Sequence, residues 1–475
     1  MEGVSGTRPD GLFGALFARD SEQGTGDQAW LQAMLDTEAA LARAAEHARI
    51  AEPGSGAAVT AVARADLIDL AALATAAAGT GNPVPALVRA LTDLLPPDKQ
   101  WAGSAIHKGA TSQDIIDTAA MLVARRSLQG TRANLATAAD ACAALADQHA
   151  STVMSGRTLL QQAVPVTFGL VAAGWMTAID EARQDLHRIA STRLAVQFGG
   201  AAGTLAPLGA AGPQVAAQLA KELGLAIPVL PWHTDRQRII QLAAGLAGAC
   251  AALGKIARDV TLLAQTEVAE VRESGPGRGG SSAMPHKQNP VASIVVLGCA
   301  KQAPGLLATL TAAAEQEHQR AAGAWHAEWL PLSELLALTG SAAAWSADLL
   351  TGLQADPGRM RANLDAAGGL PLAENVTSLL TPALGRLPAH DLVTAAARRA
   401  GEQRTGLTDA LLADEQAAKL LHGAGVGRRE LDQALNPEAY LGASAEFVRA
   451  ALADHAARGA DNSAADNPAK NGGSW

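Results

Sequence analysis

The sequence predicts an all-α protein organised around a bundle of long helices, and three observations lead there. Aromatic residues make up only 3% of the chain and there is a single tyrosine, Tyr440, so a core of Ala, Leu and Val between closely spaced helices is required. From Arg236 to Glu273 the chain runs without proline, and Ile239, Leu242, Leu246, Ala249, Leu253, Ile256, Val260 and Leu263 recur at spacings of three and four. That is the pattern of one long amphipathic helix in a bundle. Finally, 475 residues exceed one ordinary domain.

A helix over 236–273 would span about 55 Å at ~1.5 Å per residue, so neighbours of similar length must cover it. The stretches 112–150 and 291–320 are the candidates. Taken in order, residues 1–110 read as an N-terminal helical domain, 111–360 as the central long-helix bundle and 361–458 as a C-terminal helical domain. The two boundaries fall where Pro and Gly interrupt the pattern, near Gly103 to Ala110 and near Asp356 to Gly369. Residues 459–475 are Gly, Asn, Asp, Ser and Ala with almost nothing to bury, which predicts a disordered tail.

Composition also bounds the function. A net charge of -9 argues against a nucleic-acid partner while leaving room for a basic pocket that takes a small anion. Met1 to Asp10 lacks a basic segment followed by an apolar core, and no charge-free apolar stretch has membrane-spanning length. A soluble, cytoplasmic protein with no membrane partner is the expectation. Cys142, Cys250 and Cys299 lie far apart without Cys-x-x-Cys spacing, so buried free thiols are expected rather than a metal site.

The most informative run is 279–290, Gly-Gly-Ser-Ser-Ala-Met-Pro-His-Lys-Gln-Asn-Pro. Gly275-Pro276-Gly277 should stop the long helix just ahead of it. Gly279 and Gly280 give backbone freedom, and Asn289-Pro290 reads as the N-cap and first turn of an apolar helix from Val291. An anion would meet Lys287 and the positive end of that helix.

Two further segments crowd polar groups. In 104–118, Thr111 to Asp114 fits a capping box ahead of the helix from Ser112, and His107, Lys108, Thr111 and Ser112 together form a donor cluster able to hold a carboxylate. Both readings stand. In 156–169, Gly-Arg-Thr-Leu-Leu-Gln-Gln places Arg157, Thr158 and Gln161 close together, with Arg157 open to either an anion or a buried ion pair.

Ser281-Ser282-x-Met284-Pro285-His286-Lys287-x-Asn289-Pro290 resembles the signature loop of the fumarase/aspartase superfamily, Gly-Ser-Ser-x-Met-Pro-x-Lys-x-Asn-Pro. His107-x-Gly-x-Thr-Ser-x-Asp resembles the first conserved segment of its adenylosuccinate lyase and carboxymuconate cycloisomerase branch. Gly156-Arg-Thr-Leu-x-Gln161 resembles the second, usually Gly-Arg-Thr-His-x-Gln. Gln197 to Leu205, Pro231 to Arg236 and Gly323 to Trp329 are similar to the cycloisomerases in particular; the glycine run 199–203 could be only a bend and Trp232 and His233 only packing residues, but a pocket wall is the expectation for them.

The resemblance implies a three-domain fold of the fumarase/aspartase type and a cofactor-independent enzyme that binds no metal. It implies a homotetramer whose active sites are shared between chains. It assigns catalysis to Ser281, which moves the proton, and to Lys287. Substrate binding falls to His107, Thr111, Ser112, Arg157, Thr158, Gln161, Ser282, Met284, His286 and Asn289.

Leu159 stands where the histidine belongs and can transfer no proton. A departing carboxylate, whose conjugate acid has a pKa of roughly 4, needs no acid, whereas a departing nitrogen does. The departure therefore favours a cycloisomerase that lactonises 3-carboxy-cis,cis-muconate, a small tricarboxylate of protocatechuate breakdown by the β-ketoadipate route. An adenylosuccinate lyase-like enzyme is the alternative, followed by a non-catalytic structural relative.

Overall fold

The computed structural model describes residues 12–19, 22–274, 279–280, 284 and 286–465. The described residues are overwhelmingly helical. The main elements in chain order are α1 (Asp27–His47), α2 (Ser112–Gln148), β1 (Val153–Thr158), β2 (Gln161–Thr167), α3 (Phe168–Thr192), α4 (Gln237–Leu263), β3 (Val271–Glu273), α5 (Val291–Ala312), α6 (Ala324–Thr351), β4 (Leu353–Ala355), α7 (Pro357–Asp365) and α8 (Ser444–Ala465).

The chain forms two compact units, each from three separated segments. The first takes in 1–137, 181–257 and 291–348; the second takes in 138–180, 258–290 and 349–475. The helices α2, α3, α4 and α6 contribute residues to both. In the first unit the core is aliphatic and alanine-rich, as the scarcity of aromatics requires: Leu31, Leu35, Leu41, Leu122, Leu246 and Leu335 are wholly or almost wholly buried. In the second, short helices between 373 and 434 pack Val376, Leu380, Val393, Leu407 and Leu431 into a separate aliphatic cluster.

The long helix α4 ends at Leu263, well before the expected stop at 275–277. Proline was not needed to end it. Ala269 adopts φ 51°, in the left-handed region, and Glu270 N–H turns back to Leu263 O at 2.9 Å. Residues 271–273 then pair antiparallel with 353–355. The last helix α8 runs on to Ala465, into the stretch expected to be disordered, and alanine's high helix propensity accounts for the continuation. Residues 466–475 lie outside the described residues.

Helices α4 and α5 are long and apolar enough to cross a membrane by length and composition alone. In α4 half of the most apolar stretch is buried within the chain, and in α5 only 33% of it is.

Candidate active site

In the first unit the site is organised by Asp114, in the opening turn of α2. Half of the expected capping box forms, with Thr111 N–H donating to Asp114 Oδ2 at 3.0 Å. The same buried carboxylate accepts from Gln197 Nε2 at 3.1 Å, Gly199 N at 3.0 Å and Gly200 N at 2.8 Å, and lies 2.8 Å from His233 Nε2. One side chain thus fixes the helix start, the glycine run and the Pro231 to Arg236 segment. Trp232 and His233 are only 3% and 4% exposed, so they back this network rather than line an open wall.

A second buried network stands beside the first. Arg236 bridges Asp117 at 2.8 Å and Glu328 at 2.6 Å, with Gln316 and Trp325 as further donors. Burial pushes the Glu328 carboxyl above its ordinary range, against the opposing pull of Arg236.

Three residues before Asp114, the Thr111 hydroxyl accepts from Arg320 Nη1 at 2.7 Å. Burial lowers the Arg320 guanidinium pKa, an effect that Asp114 and Asp117 partly offset. His107 sits just ahead of this helix start at φ 56°, a left-handed conformation uncommon outside glycine. The carboxylate of Glu38 holds it twice: Oε2 accepts the His107 N–H at 2.8 Å and Oε1 lies 2.8 Å from Nδ1. Burial by itself would lower the His107 pKa, but Glu38, with Asp114 further off, outweighs it and holds the value above that of an ordinary histidine. Ser112 and Lys108 lie in the same stretch, both half-buried.

Glu38 and Arg320 were not singled out from the sequence. For Glu38 a signal existed: it falls on the same stripe of α1 as Leu31, Leu35, Leu41 and Ala45, an acid where the core pattern demands an apolar residue. Arg320 lies in an irregular stretch between α5 and α6, where periodicity carries no information.

In the second unit, β1 and β2 form a hairpin with Thr158 paired to Gln161. Arg157 makes a bidentate ion pair with Glu270, at 2.8 and 2.6 Å, and the Glu270 side chain is wholly buried. Asn363 Nδ2 adds a third bond to that carboxylate at 2.8 Å. The two tip residues, Leu159 and Leu160, have φ of 51° and 64°. That is the pattern of a two-residue type I′ turn, normally given to Asn and Gly. Both leucines are exposed, Leu159 to 96%.

The neck of the signature loop is closed in the same unit. Gly280 bridges Gln288, Asn289 N–H donates to Gly279 O at 2.8 Å, and its side-chain Nδ2 reaches the same oxygen at 3.2 Å. Gly279 has φ 78°, and a Cβ there would come within 2.5 Å of Asn289 O. Lys287 N–H turns back to Met284 O at 2.9 Å, and the Lys287 and His286 side chains are exposed. His286 and Asn289 also line a cleft of about 590 Å³ with Arg272, Glu273 and Asp356. Ser281 and Ser282 lie outside the described residues.

A family profile described as lyase matches residues 14–305, and one described as adenylosuccinate lyase C-terminus matches 369–451. The chain is 46% identical to a 3-carboxy-cis,cis-muconate cycloisomerase of Bradyrhizobium diazoefficiens, over 89% of this chain and 93% of that one. It is 44% identical to a nitrosuccinate lyase of Streptomyces davaonensis, over 91% and 92% of the two chains. Its structure is similar to that of the 3-carboxy-cis,cis-muconate lactonizing enzyme from Pseudomonas putida, with a TM-score of 0.87 and 41% identity over 94% of this chain and 99% of that one. With a lyase profile over more than half its length, and relatives of this identity spanning nearly all of it, the chain belongs to the fumarase/aspartase superfamily of lyases, among the relatives of the 3-carboxy-cis,cis-muconate cycloisomerases.

Proposed function

We propose that this enzyme lactonises 3-carboxy-cis,cis-muconate. The observation that carries the reading is the 46% identity to a 3-carboxy-cis,cis-muconate cycloisomerase over 89% of this chain, and Leu159 at the turn of the hairpin, where an acid would serve a poor leaving group, argues against release of a nitrogen. In the forward reaction one substrate carboxylate oxygen bonds to an alkene carbon, and the displaced electron pair moves into the second carboxylate as an aci-carboxylate. The Ser281 hydroxyl then gives its proton to carbon, and Lys287 and Asn289 hold the charged carboxylate while it develops. No step releases a basic nitrogen. Thr111, Ser112 and His107 bind a second carboxylate at the start of α2, Arg320 adding positive charge beside Thr111. Thr158 and Gln161 of the hairpin and Ser282, Met284 and His286 of the signature loop are assigned to substrate binding, and Arg157 acts through its pair with Glu270.

The reading extends to a cytoplasmic homotetramer with domains at 1–110, 111–360 and 361–458 and active sites completed by neighbouring chains. Support for self-association comes from α5, an apolar helix whose most apolar stretch is only 33% buried within one chain, and from the exposed leucines of the hairpin turn. Three free, buried thiols suit a reducing compartment.

Elimination from nitrosuccinate is the second reading, favoured by the 44% identity to a lyase of that name. Nitrite leaves as a weakly basic anion, so Leu159 suits it equally. The test is the ultraviolet absorbance of the purified protein with 3-carboxy-cis,cis-muconate, with nitrosuccinate run in parallel for nitrite release. Rapid loss of the diene, abolished in Ser281→Ala, is the expected result. Nitrite release without diene loss would replace the proposal.

A further inference from the structure

Glu38 is an acid in the core stripe of α1, and both of its oxygens are spent on one residue. Oε2 takes the backbone N–H of His107 and Oε1 faces its Nδ1, each at 2.8 Å, with the Glu38 side chain fully buried and the His107 side chain 23% exposed. The carboxylate sets the ring's direction as well, because with Nδ1–H committed to Oε1 the remaining nitrogen, Nε2, is turned away from Glu38. His107 also holds φ 56°, and a left-handed non-glycine backbone persists where its surroundings over-determine it.

We propose that Glu38 is a positioning residue of the substrate site, holding His107 as an imidazolium whose Nε2–H receives a substrate carboxylate. The inference rests on the function proposed above and adds to it a charge state and a second residue. The charged groups facing His107 are Glu38 from α1 and Asp114 from α2; Arg320, itself near Asp114, reaches Thr111 rather than the imidazole. Glu38 and Asp114 favour the protonated ring against its burial. The sign follows: His107 is charged at low pH and loses its proton as pH rises through a value above the ordinary one of about 6.5, so carboxylate binding weakens on the alkaline side.

The test uses two variants. Glu38→Gln keeps the shape and offers an amide N–H to Nδ1, forcing the neutral Nε2–H tautomer. His107→Asn keeps a side-chain donor for Glu38 and tolerates the left-handed backbone, so it covers the case in which Glu38→Gln does not fold. Two readouts are taken on the full chain. The first is the NMR titration of the His107 ring, with the resonance identified by its absence in His107→Asn. The midpoint should lie above that of an ordinary histidine and move below it in Glu38→Gln. The second is KM and kcat for lactonisation against pH. KM should rise about tenfold at neutral pH in both variants, with kcat within about twofold, the size of one lost charged hydrogen bond felt equally by substrate and transition state.

A wild-type midpoint at or below the ordinary value, or a His107→Asn variant with unchanged KM, overturns the inference. So does a fall in kcat at constant KM. If the wild type leaves the diene intact, the lactonisation reading fails, and the NMR titration still decides whether Glu38 sets the charge on His107.

Discussion

Gly279 and Gly280 form an internally controlled pair at the neck of the signature loop. At Gly279 an alanine would meet two obstacles. The left-handed φ of 78° costs about 1–2 kcal/mol for a residue with a Cβ. The new Cβ would also lie 2.5 Å from Asn289 O and 3.1 Å from Asn289 N, both backbone atoms, so the Asn289 strand must retreat. Retreat weakens the two hydrogen bonds that Asn289 gives to Gly279 O, each about 1 kcal/mol. The local cost is therefore about 2–4 kcal/mol. At Gly280, one residue on, a Cβ would meet nothing within 4 Å, and the φ is not left-handed. If a closed neck is required for turnover, kcat/KM for Gly279→Ala should fall about 30- to 700-fold at 1.4 kcal/mol per tenfold, while Gly280→Ala stays within about threefold. The melting temperature should fall by only a few degrees in Gly279→Ala, because a chain of this size has a large unfolding entropy, and should stay unchanged in Gly280→Ala. Equal activity of the two alanine variants would refute the reasoning.

Other predictions concern the second unit and the thiols. Arg157→Ala leaves the wholly buried Glu270 carboxylate with Asn363 alone among the described residues, and should destabilise the fold by about 3–5 kcal/mol in urea unfolding; adding Glu270→Ala should recover part of that loss. Replacing Leu159-Leu160 by Asn-Gly suits the type I′ turn and should raise stability by about 1 kcal/mol, with loss of activity wherever the apolar turn serves the site; unchanged activity would mean that the leucines do not. Leu159→His alone should bring no gain in lactonisation, and a large gain would remove the leaving-group argument. Burial pushes the Cys250 thiol up to about 11 and Cys299 up to about 12, so a disulfide reagent at pH 8 should modify none of the three cysteines before denaturation and all three after it.

Much of the architecture could be read from apolar spacing, because helices of this length repeat their pattern often enough to be unambiguous. The helices from Ser112 and Val291 begin at the residues expected. What could not be read were endings produced by tertiary pairing. Nothing in the run to Glu273 breaks a helix, yet residues 271–273 are drawn into a ribbon with 353–355. The motifs marked Thr111, Arg157 and Lys287 as chemically interesting, but not their partners. Arg320 lies 209 positions from Thr111 and Glu270 lies 113 from Arg157, and no local pattern reports such distances.

Asp114 serves three stretches of chain that are far apart in sequence, gathering donors from residues 111, 197, 199, 200 and 233. For anyone recombining relatives to change what the pocket accepts, these stretches are one cassette. A crossover between 114 and 197 would join a carboxylate from one parent to loops shaped by another. Transplanting 104–118, 197–205 and 231–236 as a set preserves the joint.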